Sequence, residues 1–229
     1  MYKILIGIPA FNEASAIENV LRKLPKKLKK IKHIEVIVVD DGSTDDTSKV
    51  VLERGFKVIR HLINLGLGAS IGTLFTYARQ YDFDILVTLD GDGQHNPKNI
   101  NKLIRPVIDK QADVVIGSRL IKEVILMPFT RRIVNLVANL ITYFLSGIYS
   151  TDSQSGFRVF SKKAINSIEI ITQRMEVSSE IFREVKRHRL RYREIPIQAK
   201  YTNYSMGKGQ KINNAPNILF KLLIRSIRR

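Results

Sequence analysis

Twice within the first hundred residues a short apolar run stops in carboxylates: Val36-Ile37-Val38-Val39 before Asp40-Asp41, and Ile85-Leu86-Val87-Thr88-Leu89 before Asp90-Gly91-Asp92. Runs of this kind read as buried strands. In open parallel sheets, ligands bind beyond the carboxyl ends of the strands, so both acidic pairs stand where a ligand would sit. Residues i and i+2 of an extended chain point the same way, which lets Asp90 and Asp92 face one ligand, and Gly91 and Gly93 allow the backbone to approach it. Hard oxygen donors suit magnesium or manganese shared with a substrate diphosphate. An acidic Asp-Gly turn with no metal is the plainer alternative.

The rest of the first half repeats one unit. Strand patterns at Lys3–Ile8, Ile34–Val39, Lys57–Arg60, Asp84–Leu89 and Asp113–Gly117 alternate with helical patterns near Ser15–Leu24, Asp46–Arg54, Ala69–Tyr81 and Pro97–Lys110. This predicts a doubly wound, mainly parallel α/β sheet. Ser43, Asp45 and Asp46 read as caps of the second helix, leaving Asp40 and Asp41 for a ligand. The glycines of Asn64–Gly72 follow the third strand with the wrong spacing for a dinucleotide fingerprint, so they read as loop and close helix packing. From Ile133 to Ile148 there is no charge, and Asn135, Asn139, Thr142 and Ser146 form a polar stripe on a helix. That helix is too short and too polar to span a bilayer, and suits either a core position or a membrane interface.

Charge is distributed unevenly. Residues 1–117 carry 17 Lys and Arg against 14 Asp and Glu, whereas residues 118–229 carry 21 against 7, most of the net +17. A basic half calls for an anionic partner. Residues 212–229 place Lys221, Arg225 and Arg228 on one face of an apolar helix, a pattern for an anionic membrane surface or for docking on the body. A nucleic-acid-binding module is disfavoured, because Trp is absent and the aromatics, 8% of residues, do not interleave with cations. With no Cys there are no disulfides or thiolate ligands. His33, His61, His95 and His188 lack zinc-ligand spacing, and His95 suggests a loop hydrogen bond beside the acidic motif. At 229 residues the chain fits one domain with an elaborate edge. Its first residues read as a strand rather than a signal peptide.

Pro9-Ala10-Phe11-Asn12-Glu13-Ala14, Val39-Asp40-Asp41-Gly42-Ser43-Thr44-Asp45, Asp90-Gly91-Asp92-Gly93-Gln94-His95, Gly117-Ser118-Arg119 and Asp152-Ser153-Gln154-Ser155-Gly156-Phe157-Arg158 occur in this order. Together they resemble glycosyltransferase family 2, and within it the dolichyl-phosphate mannose synthase and polyprenyl-phosphate sugar synthase branch, with the GT-A fold. The resemblance runs from Lys3 to about Lys211. It implies a GT-A catalytic domain over 1–211, divided into a nucleotide-sugar half (1–118) and an acceptor half (119–211), with a basic amphipathic helix at 212–229.

The same resemblance implies site residues. Pro9, Phe11, Glu13, Val39 and Asp41 would hold the nucleoside of a nucleotide diphosphate sugar of the GDP-mannose or UDP-glucose type. Asp90, Gly91 and Asp92 would form the DxD element, and Asp90, Asp92 and Gln94 would hold Mg2+ or Mn2+. Arg119, Arg131, Asn135 and Ser155 would meet the phosphate of a polyprenyl or dolichyl acceptor, and Arg158 would support the loop before it. Asp92, Arg119 and Arg131 would carry catalysis, at the cytoplasmic face of a membrane. The chain departs from the branch near its end, where Tyr201–Lys211 replaces an Arg and Gly-x-Ser-Lys pattern. There Lys208 and Lys211 are the candidates for the diphosphate, and Tyr201 and Tyr204 for the sugar or for packing. An acceptor hydroxyl in place of a phosphate would require a base, for which Asp152, Glu176 and Glu180 are the candidates.

Overall fold

The computed structural model describes the backbone of residues 1–121 and 129–200, and their side chains except at 129–131. Lys208, Lys211, Tyr201, Tyr204, the 212–229 segment and the Arg131 side chain therefore lie outside the described residues.

Seven strands form one sheet: β1 (Tyr2–Ala10), β2 (Ile31–Asp40), β3 (Lys57–Arg60), β4 (Ile85–Thr88), β5 (Val114–Ser118), β6 (Arg158–Ser161) and β7 (Tyr192–Pro196). Their order is β3-β2-β1-β4-β6-β5-β7, with β6 antiparallel to both neighbours and every other pairing parallel. Alternation along the strands divides the core between two faces. Ile4, Ile6, Ile8, Ile85 and Val87 pack on one side with α1 (Ala14–Arg22), α2 (Thr47–Glu53) and α4 (Ile100–Ile108). Leu5, Ile37, Val39 and Leu86 pack on the other with α3 (Leu67–Gln80), α6 (Lys162–Ser167) and α7 (Val177–Arg187). The doubly wound sheet expected from the sequence is thus present, with one reversed strand, β6, between β4 and β5.

The glycine-rich stretch after β3 is a packing device. A Cβ on Gly68 would stand 2.0 Å from the Thr172 carbonyl oxygen and one on Gly66 would stand 2.6 Å from that of Gln173, so α3 begins in direct contact with the 172–173 backbone. The capping assignment needs correction. Helix α2 starts at Thr47 without a side-chain cap at Asp46; the Asp45 carboxylate instead accepts from Thr47 N at 3.0 Å. Ser43 Oγ accepts from Asn12 N at 2.9 Å, which ties the loop after β2 to the loop after β1.

Helix α5 (Phe129–Ser146) carries its polarity inside out. Its polar stripe is buried: Thr142 Oγ1 lies 2.9 Å from Ser179 Oγ, and Asn139 donates to Thr151 O at 2.7 Å. Its apolar residues face outward, with Leu136 68% and Phe144 77% exposed. Among the described residues no helix is long and apolar enough to cross a membrane.

Candidate active site

The parallel strands deliver the acidic motifs to one rim of the sheet. Register pairs Pro9 with Val39, Ala10 with Asp40 and Gly7 with Thr88, so Pro9, Val39, Asp41 and Asp90 all lie at the carboxyl ends of adjacent strands. Strand β6 runs backward, so the loop that enters it, through Ser155 and Gly156, reaches the same rim. A Cβ on Gly156 would stand 2.2 Å from Asp90 Oδ1, and Thr88 Oγ1 holds the Gly156 carbonyl at 3.0 Å. Only glycine lets that peptide lie against the carboxylate. Gly91 is turned toward α1, its missing Cβ 3.5 Å from both Glu13 Cγ and Pro9 O.

Asp90 is one-third exposed and its Oδ2 lies 3.3 Å from His95 Nε2. Burial opposes ionisation of Asp90, but His95, Arg119 and Arg158 outweigh it and hold the carboxyl below its usual range. Asp92 moves the other way: burial, and then the charge of Asp90, push its carboxyl up, although Gln94 N donates to it at 2.9 Å. The buried His95 ring meets the loop through Nε2 and Asp90, a contact too poorly aligned to satisfy that nitrogen in full, and Nδ1 has no hydrogen-bond partner among the described residues. Nor do three His, Cys, Asp or Glu side chains converge as a metal cage among those residues. Magnesium is commonly held by one or two carboxylates together with substrate phosphates, and two adjacent carboxylates, one unfavourably ionised, fit that donor set.

Two arginines, Arg119 and Arg158, act on Asp90 through their charge. Arg119, directly after β5, makes a two-pronged pair with Asp152, Nε to Oδ2 and Nη2 to Oδ1 both at 2.7 Å, and its backbone N donates to Oδ2 at 2.9 Å. Such planar forks are among the strongest polar contacts in proteins. Arg158 is buried and braces the loop from beneath, donating to Ser155 O at 2.8 Å, and to Ser153 O and Ser178 Oγ at 3.0 Å each. Burial lowers its pKa to about 10, with Asp90 and Asp152 opposing the shift, so it stays charged near neutral pH.

Several residues singled out in the sequence have duties within the fold. Asp40 is buried and is not available to a ligand: it accepts from Ser43 N at 2.8 Å and from the Ser48 hydroxyl. Asp41 accepts from His61 Nδ1 and Gly66 N at 2.7 Å and from Leu65 N at 3.0 Å, which shapes the loop after β3. Ser155 is fully buried and donates to Gly117 O at 2.6 Å, so its hydroxyl faces β5 rather than an acceptor. Phe11 is exposed, Glu13 and Gln94 are buried at the rim, and Asn135 is buried on α5. Asp152 and Glu180, offered as bases, are both committed: Glu180 accepts from Thr172 N, Thr172 Oγ1 and Ile171 N, and Glu176 is nearly buried. A separate groove of ≈ 450 Å³ between α3 and residues 170–173 contains none of these carboxylates or arginines.

Residues 5–169 match the family model for glycosyl transferase family 2. The chain belongs to glycosyl transferase family 2. An uncharacterized protein of Methanocaldococcus jannaschii is 42% identical over 98% of this glycosyltransferase and 93% of its own length. The UDP-N-acetylglucosamine–dolichyl-phosphate N-acetylglucosaminyltransferase of Methanococcus voltae is 37% identical, with 96% and 95% of the two chains covered. In three dimensions this glycosyltransferase has the GT-A fold. It is similar to glucosyl-3-phosphoglycerate synthase of Mycobacterium tuberculosis, crystallised with Mn2+, UDP and glucosyl-3-phosphoglycerate. The TM-score is 0.74 at 18% identity, with 98% of this chain and 80% of that one covered.

Proposed function

We propose that this glycosyltransferase moves a hexose, with inversion, from a nucleotide diphosphate sugar to a polyprenyl or dolichyl phosphate at the cytoplasmic face of a membrane. The observation that carries the reading is Arg119, close enough to Asp90 and Asp92 to favour their charged forms, with Asp152, one of the candidate bases, committed to it. An acceptor phosphate monoester has a second pKa of about 6 by analogy with phosphoserine, so it is already a nucleophile at neutral pH. A sugar hydroxyl would need a base, and of the three candidates among the described residues Asp152 and Glu180 are already engaged.

Pro9, Phe11, Glu13, Val39 and Asp41 are the residues assigned to the nucleoside end of the rim. Asp90 and Asp92, with Gln94, would hold a magnesium or manganese ion, which supplies Lewis-acid neutralisation of the leaving diphosphate. Arg119, with Arg131 and Asn135 from α5, would orient the acceptor phosphate in line behind the anomeric carbon, a task of positioning and charge. Lys208 and Lys211 are the cations assigned to the diphosphate. A UDP-sugar is the first donor to test, because UDP is named for the M. voltae relative and was bound in the M. tuberculosis structure.

Labelled UDP-sugars and GDP-sugars, incubated with manganese and short polyprenyl phosphates, are expected to yield an organic-extractable product from one donor. Label that stays in water-soluble saccharide would overturn the acceptor assignment. A thermal-shift series with UDP, GDP and their sugars is expected to single out the same base.

The outward face of α5 supports the membrane assignment. Ile133, Leu136, Leu140 and Phe144 are exposed at helical spacing on one side, while the opposite side builds the 150–153 loop beneath Arg119. The half of the chain that contains this helix also carries most of the positive charge, the combination that binds anionic lipid surfaces. Leu136→Glu with Leu140→Glu is expected to reduce binding to phosphatidylserine-containing vesicles at least tenfold without lowering Tm. Unchanged vesicle binding would remove α5 from the membrane contact.

A further inference from the structure

We propose that Glu194, on the outermost strand β7, is the positioning residue that sets Arg119 for the acceptor phosphate. This rests on the acceptor assignment above. Glu194 does not reach the rim itself. The β5–β7 register pairs it with Ile116, three residues before Arg119. From there its carboxylate gathers one side of the loop that restrains the arginine.

Five donors converge on that carboxylate, the most distant being Asp152 N, 3.4 Å from Oε1. Oε1 accepts from Ser150 Oγ at 2.7 Å, Thr151 N at 2.9 Å and Tyr192 OH at 2.7 Å, and Oε2 accepts from Thr151 Oγ1 at 2.8 Å. An ionised carboxylate has about four acceptor sites and no donor, so it matches this cluster where an amide would place its own N–H groups among donors. Because the Thr151 proton is spent on Glu194, the 2.7 Å contact between Thr151 Oγ1 and Ser118 Oγ has Ser118 as donor. Ser118 Oγ in turn accepts from Leu120 N at 3.2 Å. The residues on either side of Arg119 are thereby tied to the same carboxylate.

The other side of the loop is held by α5. Asn139 donates to Thr151 O at 2.7 Å and accepts from Ser153 N at 2.8 Å. Asp152 lies between these two anchors, fully buried, and its position fixes the plane of the Arg119 guanidinium. The order of dependence is Glu194, the 150–153 loop, Asp152, Arg119. Burial, and then the charge of Glu194, also push the Tyr192 phenol up, so it remains a donor throughout the physiological range.

The test compares Glu194→Ala and Glu194→Gln with the wild type in steady-state transfer, nucleotide binding and amide hydrogen exchange. Glu194→Ala is expected to lower kcat/KM for polyprenyl phosphate at least tenfold, to leave the UDP or GDP Kd within twofold, and to speed exchange at residues 151–153 at least tenfold. Glu194→Gln, which keeps one acceptor oxygen and the side-chain shape, is expected to fall between the two. Unchanged exchange at 151–153, or equal losses for acceptor and nucleotide, would overturn the proposal. If the wild type transferred nothing to polyprenyl phosphate, the acceptor assignment would fall on its own, and exchange at 151–153 would still decide whether Glu194 holds the loop.

Discussion

Asp92→Asn is expected to slow transfer by about a thousandfold, about 4 kcal/mol in the barrier, and yet to leave the ligand-free protein at least as stable as the wild type. The two effects share one cause. In the folded chain burial and the neighbouring Asp90 charge push the Asp92 carboxyl up, so the folded state binds that proton more tightly than the unfolded state does. Below about pH 4 both states hold the proton and ionisation carries no penalty. As pH rises through the folded-state pKa the penalty grows to its full size. Asparagine removes the penalty while keeping an oxygen for Gln94 N. It also removes half of the negative charge that would bind a divalent ion. Melting curves at pH 7, with and without nucleotide and manganese, separate the consequences: the free variant should melt no lower than the wild type, and the stabilisation by nucleotide with metal should vanish. Turnover within tenfold of the wild type would rule out the aspartate pair as the charge-neutralising element.

Gly156→Ala is expected to reduce transfer by about a hundredfold without deleting any functional group. The added methyl would stand 2.2 Å from Asp90 Oδ1 and 2.5 Å from Oδ2, where ordinary contact begins at 3.4 Å. The backbone cannot withdraw, because Thr88 Oγ1 binds the Gly156 carbonyl and β4 pairs with β6 through Thr88 and Arg158. The carboxylate must yield, by about the 1 Å that costs a positioned site about a hundredfold. Since the group that moves is the end of a side chain, the fold should survive. The expected signature is a Tm close to that of the wild type, with nucleotide binding that no longer responds to manganese. A variant that binds nucleotide and metal normally would show that Asp90 is not held where the 2.2 Å contact puts it.

The strands that carry the donor side were legible because their chemistry is local: most of β1, the second half of β2 and all of β4 read as apolar runs and are largely buried. Strands β6 and β7 were not. Arg158–Ser161 opens with a buried arginine held by the loop just before it and by Ser178 on α7, and Tyr192–Pro196 is an edge strand whose Glu194 looks like a surface charge. Both patterns depend on tertiary packing that a window of sequence does not show. The carboxylates Asp40 and Asp41 show the same limit from the other side. Strand-end acids were expected to wait for a ligand, but Asp40 is consumed by the loop that follows it, through Ser43 and Ser48. The stripe on α5 was visible as a period, but only packing could show that the polar side faces inward, against Thr151, Ser153 and Ser179.

The reversed course of β6 has a consequence for how such a scaffold diversifies. Residues 119–157 leave the sheet at one rim and come back to that rim, so the whole excursion hangs from two neighbouring points. Provided that Gly156 is kept against Asp90, its length and composition can change without altering the hydrogen-bonded ladder. Transplanting this segment from another member of the family, with that glycine retained, is expected to exchange the receiving molecule while the donor side carries over.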